Sequence, residues 1–391
     1  LAADARPVRV IHFATTSIMH KAFILPLARW QRDHGYAVEF GCGEDIQPGY
    51  GPEVAALEAA GFRVHVIPFP YRIRPIADVV ALARLWRFFR RERFDVVHTH
   101  TSKAGVLVRA AARMAGCPRV VHTVHIFHFR KFGPGVRRWF FVWLERLAGR
   151  WTDVIYCTGR VIHDEAHLAR IAPDSKLLVI GGAIGDLERF SVASGQAAAL
   201  RAELGLGESE PIVACVTRLV DYKGVDTLLL AARLVLRVMP AVRFVVMGGG
   251  PLESELRALA ARLGVERSVI FTGNRDQRDV VRLLAASAVF CLPTRYEAFG
   301  VAFVEAMAVG CPPVGPRLAA VESIVEDGVT GILVPRQGDD AAYAEAILTL
   351  LADPWLRARL AQAGMRQVRE AMAPETTYET VTDAYARGRT A

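Results

Sequence analysis

The chain has 391 residues, 52% of them apolar and 23% charged, which is too long for one ordinary core and too apolar for a disordered chain, so two folded domains are expected. No apolar run reaches about 18 residues without a charge, so no membrane-spanning helix is expected, and the start "LAADARPVRV" lacks the basic-then-apolar layout of a secretory signal. The net charge of +8 is uneven: residues 1–185 hold 26 Lys/Arg against 15 Asp/Glu, and residues 186–391 hold 22 against 25.

In the first half, short runs rich in Val, Ile and Phe alternate with helix-length amphipathic segments, the pattern of parallel α/β structure. The strand candidates begin at Val8, Ala37, Phe62, Asp95, Arg119, Asp153 and Lys176, with helices such as Val79 to Arg91 and Lys103 to Ala115 between them. Six cysteines (Cys42, Cys117, Cys157, Cys215, Cys291, Cys311) are scattered with no Cys-x-x-Cys pair, which fits buried reduced thiols in the cytoplasm.

Histidines crowd two of these strand ends, "HTHTSKAG" (His98, His100) and "VHTVHIFHF" (His122, His125, His128). Strand residues two apart share a face, so His98 and His100 go together. No nearby carboxylate or cysteine completes a ligand set, so no metal site is expected. Basic and aromatic residues interleave in "RLWRFFRRERF" (Arg84 to Phe94) and in Phe127 to Trp151, which holds Arg130, Lys131, Arg137, Arg138 and Trp139. Such a mixture suits the headgroup layer of an anionic membrane. The competing reading is a packed stripe of Trp139, Phe140, Phe141 and Trp143 with a solvated basic face.

After a less regular stretch, residues 185–210, the pattern restarts with strand candidates from Pro211, Arg243, Val269, Ala288 and Gly331. From Asp339 onward the chain reads as wholly helical. The simplest organisation is two Rossmann-like domains joined near residue 188, residues 1–187 and 188–374, with a terminal helix of about residues 375–391 returning to the first. Two such domains enclose a cleft beyond the carboxyl ends of their strands, where ligands of doubly wound sheets sit.

Three motifs fall at such strand ends. "TRLVDYKG" places Arg218 and Lys223 in a loop, where two cations can hold a diphosphate, although loop cations are more often only solvated. "MGGGP", with Gly249 at its centre, is a glycine turn that lets backbone approach a ligand, or is only a turn. "PTRYEAFGVAFVEAMAVGCPPVG" places Glu297 in a loop, Gly300 before a helix from Val301 to Val309, and Glu305 on its second turn; the N–H groups of Val301 to Phe303 favour an anion. For Glu305 the alternative is an ion pair within the helix.

Taken in order and spacing, "TRLVDYKGVDTLLLA", "VVMGGGPLESELRALA", "PTRYEAFGVAFVEAMAVGCPPVG" and "VEDGVTGILVP" resemble the second domain of the retaining GT4-type glycosyltransferases of GT-B fold. The spacing of Glu297 and Glu305 is that family's Glu-x7-Glu mark, and the resemblance extends more weakly through the first half. It implies two Rossmann-like domains with parallel sheets facing a central cleft. It also implies a nucleotide-sugar donor, no cofactor and no required metal. Carried over by position, Arg218 and Lys223 are the diphosphate cations, Glu305 the acid on the ribose hydroxyls and Glu297 the contact to the sugar hydroxyls. Phe299, Gly300 and Val301 supply backbone groups, and His125 borders the donor sugar.

Three departures stand out: Ile126 replaces the usual glycine after that histidine, "ATTSIMHKAF" replaces a Gly-Gly loop after the first strand, and "IGGAIGDLERF" replaces the more usual Asn-Gly before the interdomain link. The first-loop departure resembles the branch that elongates undecaprenyl-diphosphate-linked glycans. It implies transfer of a hexose or N-acetylhexosamine from a nucleotide sugar, UDP-linked, to a lipid-linked acceptor in bacterial surface polysaccharide synthesis. The chain would work at the cytoplasmic face of the membrane, with His98, His100 and the basic patch on the acceptor or membrane side. Rival readings are a nucleotide-sugar epimerase of the same fold, a transferase with a soluble small-molecule acceptor, and a non-catalytic carbohydrate or lipid binder. Nucleic acid is not expected as a partner.

Overall fold

In a computed structural model of the protein, the described residues are 6–20, 24–43, 51–69, 73–181, 190, 196–207, 209–371 and 374–386. The chain divides into two compact units, one of Leu1–Gly185 with Pro374–Ala391, the other of Asp186–Ala373. The expected link near residue 188 and the end of the "ATTSIMHKAF" loop lie outside the described residues.

Unit 1 is a seven-stranded parallel sheet of β1 (Arg9–Ala14), β2 (Ala37–Cys42), β3 (Arg63–Val66), β4 (Val96–Thr99), β5 (Arg119–Val124), β6 (Val154–Cys157) and β7 (Leu177–Val179), in the order β3-β2-β1-β4-β5-β6-β7. Helices cover both faces, so β1, β4, β5 and β6 are buried along almost their whole length instead of alternating between buried and exposed. On one face Ile11, Phe13, Val97 and Val120 pack against Leu85, Phe88 and Phe89 of the Pro75–Glu92 helix and against Val108 and Ala111 of the Ser102–Met114 helix. The run Arg84 to Phe94 is therefore mostly core: Leu85, Phe88, Phe89 and Phe94 are buried, and its arginines form the solvated face. That corrects the membrane reading for this segment.

On the other face Val10, Val96, Val121 and Tyr156 meet Tyr378, Val381 and Tyr385 of the Pro374–Ala386 helix. Tyr156 donates its hydroxyl to the Val381 carbonyl at 2.7 Å, and the Arg119 guanidinium donates to the Ala384 carbonyl at 2.9 Å, so the last helix is fastened to unit 1 by directional bonds as well as burial.

Unit 2 is a six-stranded parallel sheet of β8 (Ile212–Val216), β9 (Arg243–Met247), β10 (Val269–Gly273), β11 (Val289–Cys291), β12 (Pro313–Pro316) and β13 (Ile332–Val334), ordered β10-β9-β8-β11-β12-β13. Its helices start and stop where the local signals lie. Asp276 caps the Gln277–Ala286 helix by accepting from the Asp279 N–H at 2.9 Å, and Gly264 ends the Glu253–Leu263 helix in the left-handed region. All six cysteines are buried, and none is in a disulfide.

Four of unit 1's imidazoles, His12, His20, His98 and His122, sit on or beside strands and are buried. Burial disfavours their charged forms, lowering His12 from its ordinary 6.5 to about 4 and His20 to about 3, and holding His98 and His122 well below 6.5. Below pH 6.5 the unfolded chain gains protons that the folded chain refuses, so stability is full above about pH 6.5 and is lost as pH falls toward about 4. Each such histidine contributes a slope of about 1.4 kcal/mol per pH unit across that window. Urea midpoints should fall steeply between pH 6.5 and 4.5 and change little between pH 7 and 8, with a shallower acid slope in His12→Gln.

Candidate functional site

In each unit the strand order reverses once, between β1 and β4 in unit 1 and between β8 and β11 in unit 2. Loops leaving the carboxyl ends of such neighbours run in opposite directions and open a crevice, the usual ligand position of doubly wound sheets. In unit 2 these are the loops Thr217 to Gly224 and Leu292 to Gly300, which hold all the expected donor residues except Gly249, Val301 and Glu305.

The two loops are tied closely together. Gly224 has φ +68°, and a Cβ there would collide with the Pro293 carbonyl oxygen, so only glycine lets the β8 loop reach the β11 loop. The Thr294 hydroxyl and the Arg295 N–H both donate to the Tyr222 carbonyl, at 3.1 and 2.7 Å. The Arg295 guanidinium pairs with Asp226 at 2.5 Å and donates to the Asp221 carbonyl at 2.6 Å; its bond to Asp226 raises its pKa above the ordinary arginine value. The turn carrying Lys223 is thereby pinned to the segment carrying Glu297. Lys223 Nζ donates to Glu297 Oε2 at 2.6 Å, with both side chains about seven-eighths buried.

The glycine turn braces the same loop from its other side. Leu219 N–H donates to the Gly249 carbonyl at 3.0 Å and Thr217 N–H to the Met247 carbonyl at 3.0 Å. Gly248 has φ +136°, and a Cβ would strike the Thr217 carbonyl oxygen. Gly249 therefore enters this arrangement through its backbone, against the Asn274 side chain and the Arg218 loop.

Gly300, with φ +101°, precedes the Val301–Ala308 helix. Phe303 N–H turns back to the Gly300 carbonyl at 2.9 Å, which leaves Val301 and Ala302 as the helix-start donors among the described bonds, two where three were expected. Phe299 and Val301 are partly exposed beside them. Glu305, 7% exposed, accepts from Gln277 Nε2 at 2.6 Å, so its described bond crosses to the neighbouring helix and is no ion pair within its own. Arg218 is exposed, and no described side chain pairs with it. The site thus offers two cations, two carboxylates and two helix-start donors. Gln277, which holds Glu305, and Arg295, which holds Asp226 behind the Lys223 turn, were not singled out in the sequence, where nothing links them to these partners 28 and 69 positions away.

In unit 1, register pairs His12 with His98, so a histidine in the middle of "VRVIHFA" joins the two expected at the end of β4. The Tyr385 hydroxyl is hydrogen-bonded to His98 Nδ1 at 2.5 Å, and His98 Nε2 to the Thr123 hydroxyl at 2.7 Å. Gln31 donates its amide to Tyr385 at 3.4 Å and accepts from His12 Nε2–H at 2.8 Å, and His12 Nδ1 accepts from His100 Nε2–H at 3.0 Å. His98 and His100 stack, with ring centroids 4.2 Å apart. His12, His98 and His100 bring one nitrogen each within 4.8 Å of one another. Both nitrogens of His12 and of His98 are already in hydrogen bonds, so the cluster reads as a hydrogen-bonded chain and not as a ligand set. His125 follows β5, its ring 6.1 Å from that of His100, and burial of the ring lowers it to about 4, so it offers a neutral hydrogen-bonding group. Ile126 after it is exposed.

The Val136–Arg150 helix presents Val136, Trp139 (63% exposed), Phe140 and Trp143 (44%) to solvent, beside exposed Arg137, Arg138 and Lys131. Of the stripe weighed as core, Phe141 alone packs inward, stacking on Phe132 at 5.1 Å. Arg138 lies over the Phe129 ring at 5.2 Å and Arg130 pairs with Glu165. A buried ion pair, Arg109 to Glu145 at 2.8 Å, anchors this helix to the Ser102–Met114 helix. Among the described residues no helix is long and apolar enough to cross a membrane.

Comparison with known proteins fits both units. Residues 196–367 match the family described as "Glycosyl transferases group 1", and residues 21–183 match a "Glycosyl transferase 4-like domain". The chain is 30% identical over 281 residues to the UDP-Gal:alpha-D-GlcNAc-diphosphoundecaprenol alpha-1,3-galactosyltransferase of Escherichia coli, covering 71% of this chain and 72% of that one. It is 34% identical to the D-inositol 3-phosphate glycosyltransferase of Frankia alni, over 68% of each chain. Among solved structures, Anabaena Alr3699/HepE in complex with UDP and glucose superposes with a TM-score of 0.80 at 20% identity, over 97% of this chain and 100% of that one. WaaG, a glycosyltransferase involved in lipopolysaccharide biosynthesis, superposes at 0.72 and 17% identity, over 96% and 100%. The crevice chemistry, the two sheets and these likenesses agree, and the chain belongs to the GT4-type glycosyltransferases of GT-B fold.

Proposed function

We propose that the protein transfers a hexose or N-acetylhexosamine, with retention of anomeric configuration, from a UDP-sugar to a lipid-linked glycan during bacterial surface polysaccharide synthesis. The observation that carries this reading is the Lys223–Glu297 pair, set beside the Val301 helix start at the strand-order reversal of unit 2. Support for the donor comes from the UDP and glucose in the Alr3699/HepE structure and from the UDP-Gal in the name of the Escherichia coli relative. That relative's diphosphoundecaprenol substrate supports the acceptor class.

In this reading the arriving diphosphate takes the Lys223 ammonium from Glu297 and recruits the unpaired Arg218. The freed Glu297 then accepts from sugar hydroxyls, and Glu305, held by Gln277, accepts from the ribose. As the anomeric C–O bond breaks, negative charge grows on the diphosphate oxygen, where fixed cations and helix-start amides stabilise it most. The acceptor hydroxyl attacks from the face being vacated, and its proton passes to the leaving phosphate oxygen. No metal or cofactor is required, and no covalent sugar adduct forms on Glu297. The exposed Trp139 face with Arg137 and Arg138 holds the protein on the anionic cytoplasmic face of the membrane, with the lipid-linked acceptor on the unit 1 side.

Lys223→Ala and Arg218→Ala should each lower kcat by about 10²- to 10³-fold. A kcat within tenfold of wild type for either, measured as UDP release with acceptor present, would remove that residue from the mechanism. Gln277→Leu should weaken UDP binding in calorimetry by roughly 10- to 100-fold, the range for losing a hydrogen bond to a charged group; unchanged affinity would detach Gln277 and Glu305 from the ribose. In flotation with phosphatidylglycerol-containing vesicles, the wild-type chain should rise with the lipid. The triple variant Arg137→Glu, Arg138→Glu, Trp139→Ala should stay in the dense fraction, and equal flotation of the two would refute the membrane face.

A further inference from the structure

Unit 1 has its own strand-order reversal, between β1 and β4, and the residues that follow these strands are Thr15 and His100. In unit 2 the equivalent topological position holds the candidate donor residues, so the chemistry at Thr15 and His100 bears on what unit 1 can hold. Thr15 is fully engaged: its N–H donates to the Thr101 hydroxyl at 2.8 Å, the two hydroxyls lie 2.7 Å apart, and Ala104 N–H reaches the Thr15 hydroxyl at 3.4 Å. His100 is not. Its backbone N–H is bound to the Phe13 carbonyl at 3.0 Å and its Nε2 to His12, while Nδ1 is buried with no hydrogen-bond partner among the described residues, in a residue only 4% exposed.

The protonation of that orphan atom follows from the chain behind it. The Gln31 amide nitrogen is spent on Tyr385, so its oxygen faces His12 and requires the proton on His12 Nε2. His12 Nδ1 is then a bare lone pair, which requires the proton of His100 on Nε2. His100 Nδ1 is left as a bare acceptor. A buried acceptor without a donor is costly, and a water or ligand that supplies the donor relieves that cost. Burial keeps the ring neutral, well below its ordinary pKa, so the atom accepts a hydrogen bond without becoming a cation.

We propose that His100 Nδ1 is a binding atom for an alcohol hydroxyl of the glycosyl acceptor, with its tautomer imposed by His12, Gln31 and Tyr385 acting as positioning residues. This assignment rests on the acceptor reading of unit 1 given above. A hydroxyl fits because it is a neutral donor of the size of one water. A cationic donor would have to shed its water without a countercharge, since the neighbouring rings are themselves neutral.

The test compares His100→Asn, whose amide lies near the Nδ1 position, with His100→Gln, whose amide reaches the Nε2 position, and with His100→Phe, which removes both. The substrates are UDP-sugar and a short-chain polyprenyl diphosphate carrying one N-acetylhexosamine. KM for the acceptor should rise at least tenfold in the Gln and Phe variants and stay within threefold of wild type in the Asn variant, with UDP affinity unchanged in all three. Gln31→Leu should raise the same KM severalfold, again with UDP affinity intact. An acceptor KM within twofold of wild type in His100→Phe would mean that Nδ1 holds a buried water only and would overturn the proposal. Equal losses in the Asn and Gln variants would mean that ring packing alone matters, and would also overturn it. If wild type transfers no sugar and Lys223→Ala leaves UDP binding unchanged, the proposed function itself fails, an outcome distinct from normal transfer with an unaffected acceptor KM.

Discussion

The crevice of unit 2 depends on how closely two backbone loops can approach each other. Pairing of β8 with β11 brings the loops together, but a parallel ladder sets only the strand spacing. The remaining approach is made by Gly224, which lies against the Pro293 carbonyl where no side chain fits, and by Arg295, which ties the turn at Asp221 to Lys223 down through Asp226 and two backbone carbonyls. Everything chemical follows from that contact, because Lys223 on one loop and Glu297 on the other are then within hydrogen-bond distance.

A donor-free site of this kind is internally compensated. Glu297 is answered by Lys223 and Glu305 by Gln277, so neither carboxylate is left buried without an answering group, which would cost several kcal/mol. The two answers differ in kind. An ammonium is a charge partner for which another anion can compete. An amide holding Glu305 carries no charge to trade, and suits a carboxylate whose orientation is kept throughout.

Unit 1 solves a different problem with neutral groups. Its buried imidazoles lie in or next to the sheet, where charge is expensive, and His12, His98 and His100 are linked through Gln31 and Tyr385 into one chain of hydrogen bonds. The chain couples the last helix, Pro374–Ala386, to the carboxyl end of β4, so a residue near the end of the sequence is hydrogen-bonded to one near its first quarter. Its outer surface uses the opposite strategy, with Trp139 and Trp143 left in solvent among arginines on a helix anchored by the buried Arg109–Glu145 pair.

The sequence by itself determined the alternation of strands and helices, the two-sheet plan and the places where Lys223, Glu297, Gly300 and Glu305 fall, because these are local: periodicity, a capping glycine and a strand end are written within a few residues. It could not say that the aromatic rings of Arg84 to Phe94 turn into the core while Trp139, Phe140 and Trp143 turn outward, since both runs interleave basic and aromatic residues and only packing against β1, β4 and β5 separates them. Nor could it reveal that Gln277 serves Glu305, that Arg295 fixes Lys223, or that His12 belongs with His98 and His100. Those relations depend on register and strand order, which bring together residues 28 to 88 positions apart, and hydrogen-bond direction, hence tautomer and charge, exists only once that has happened.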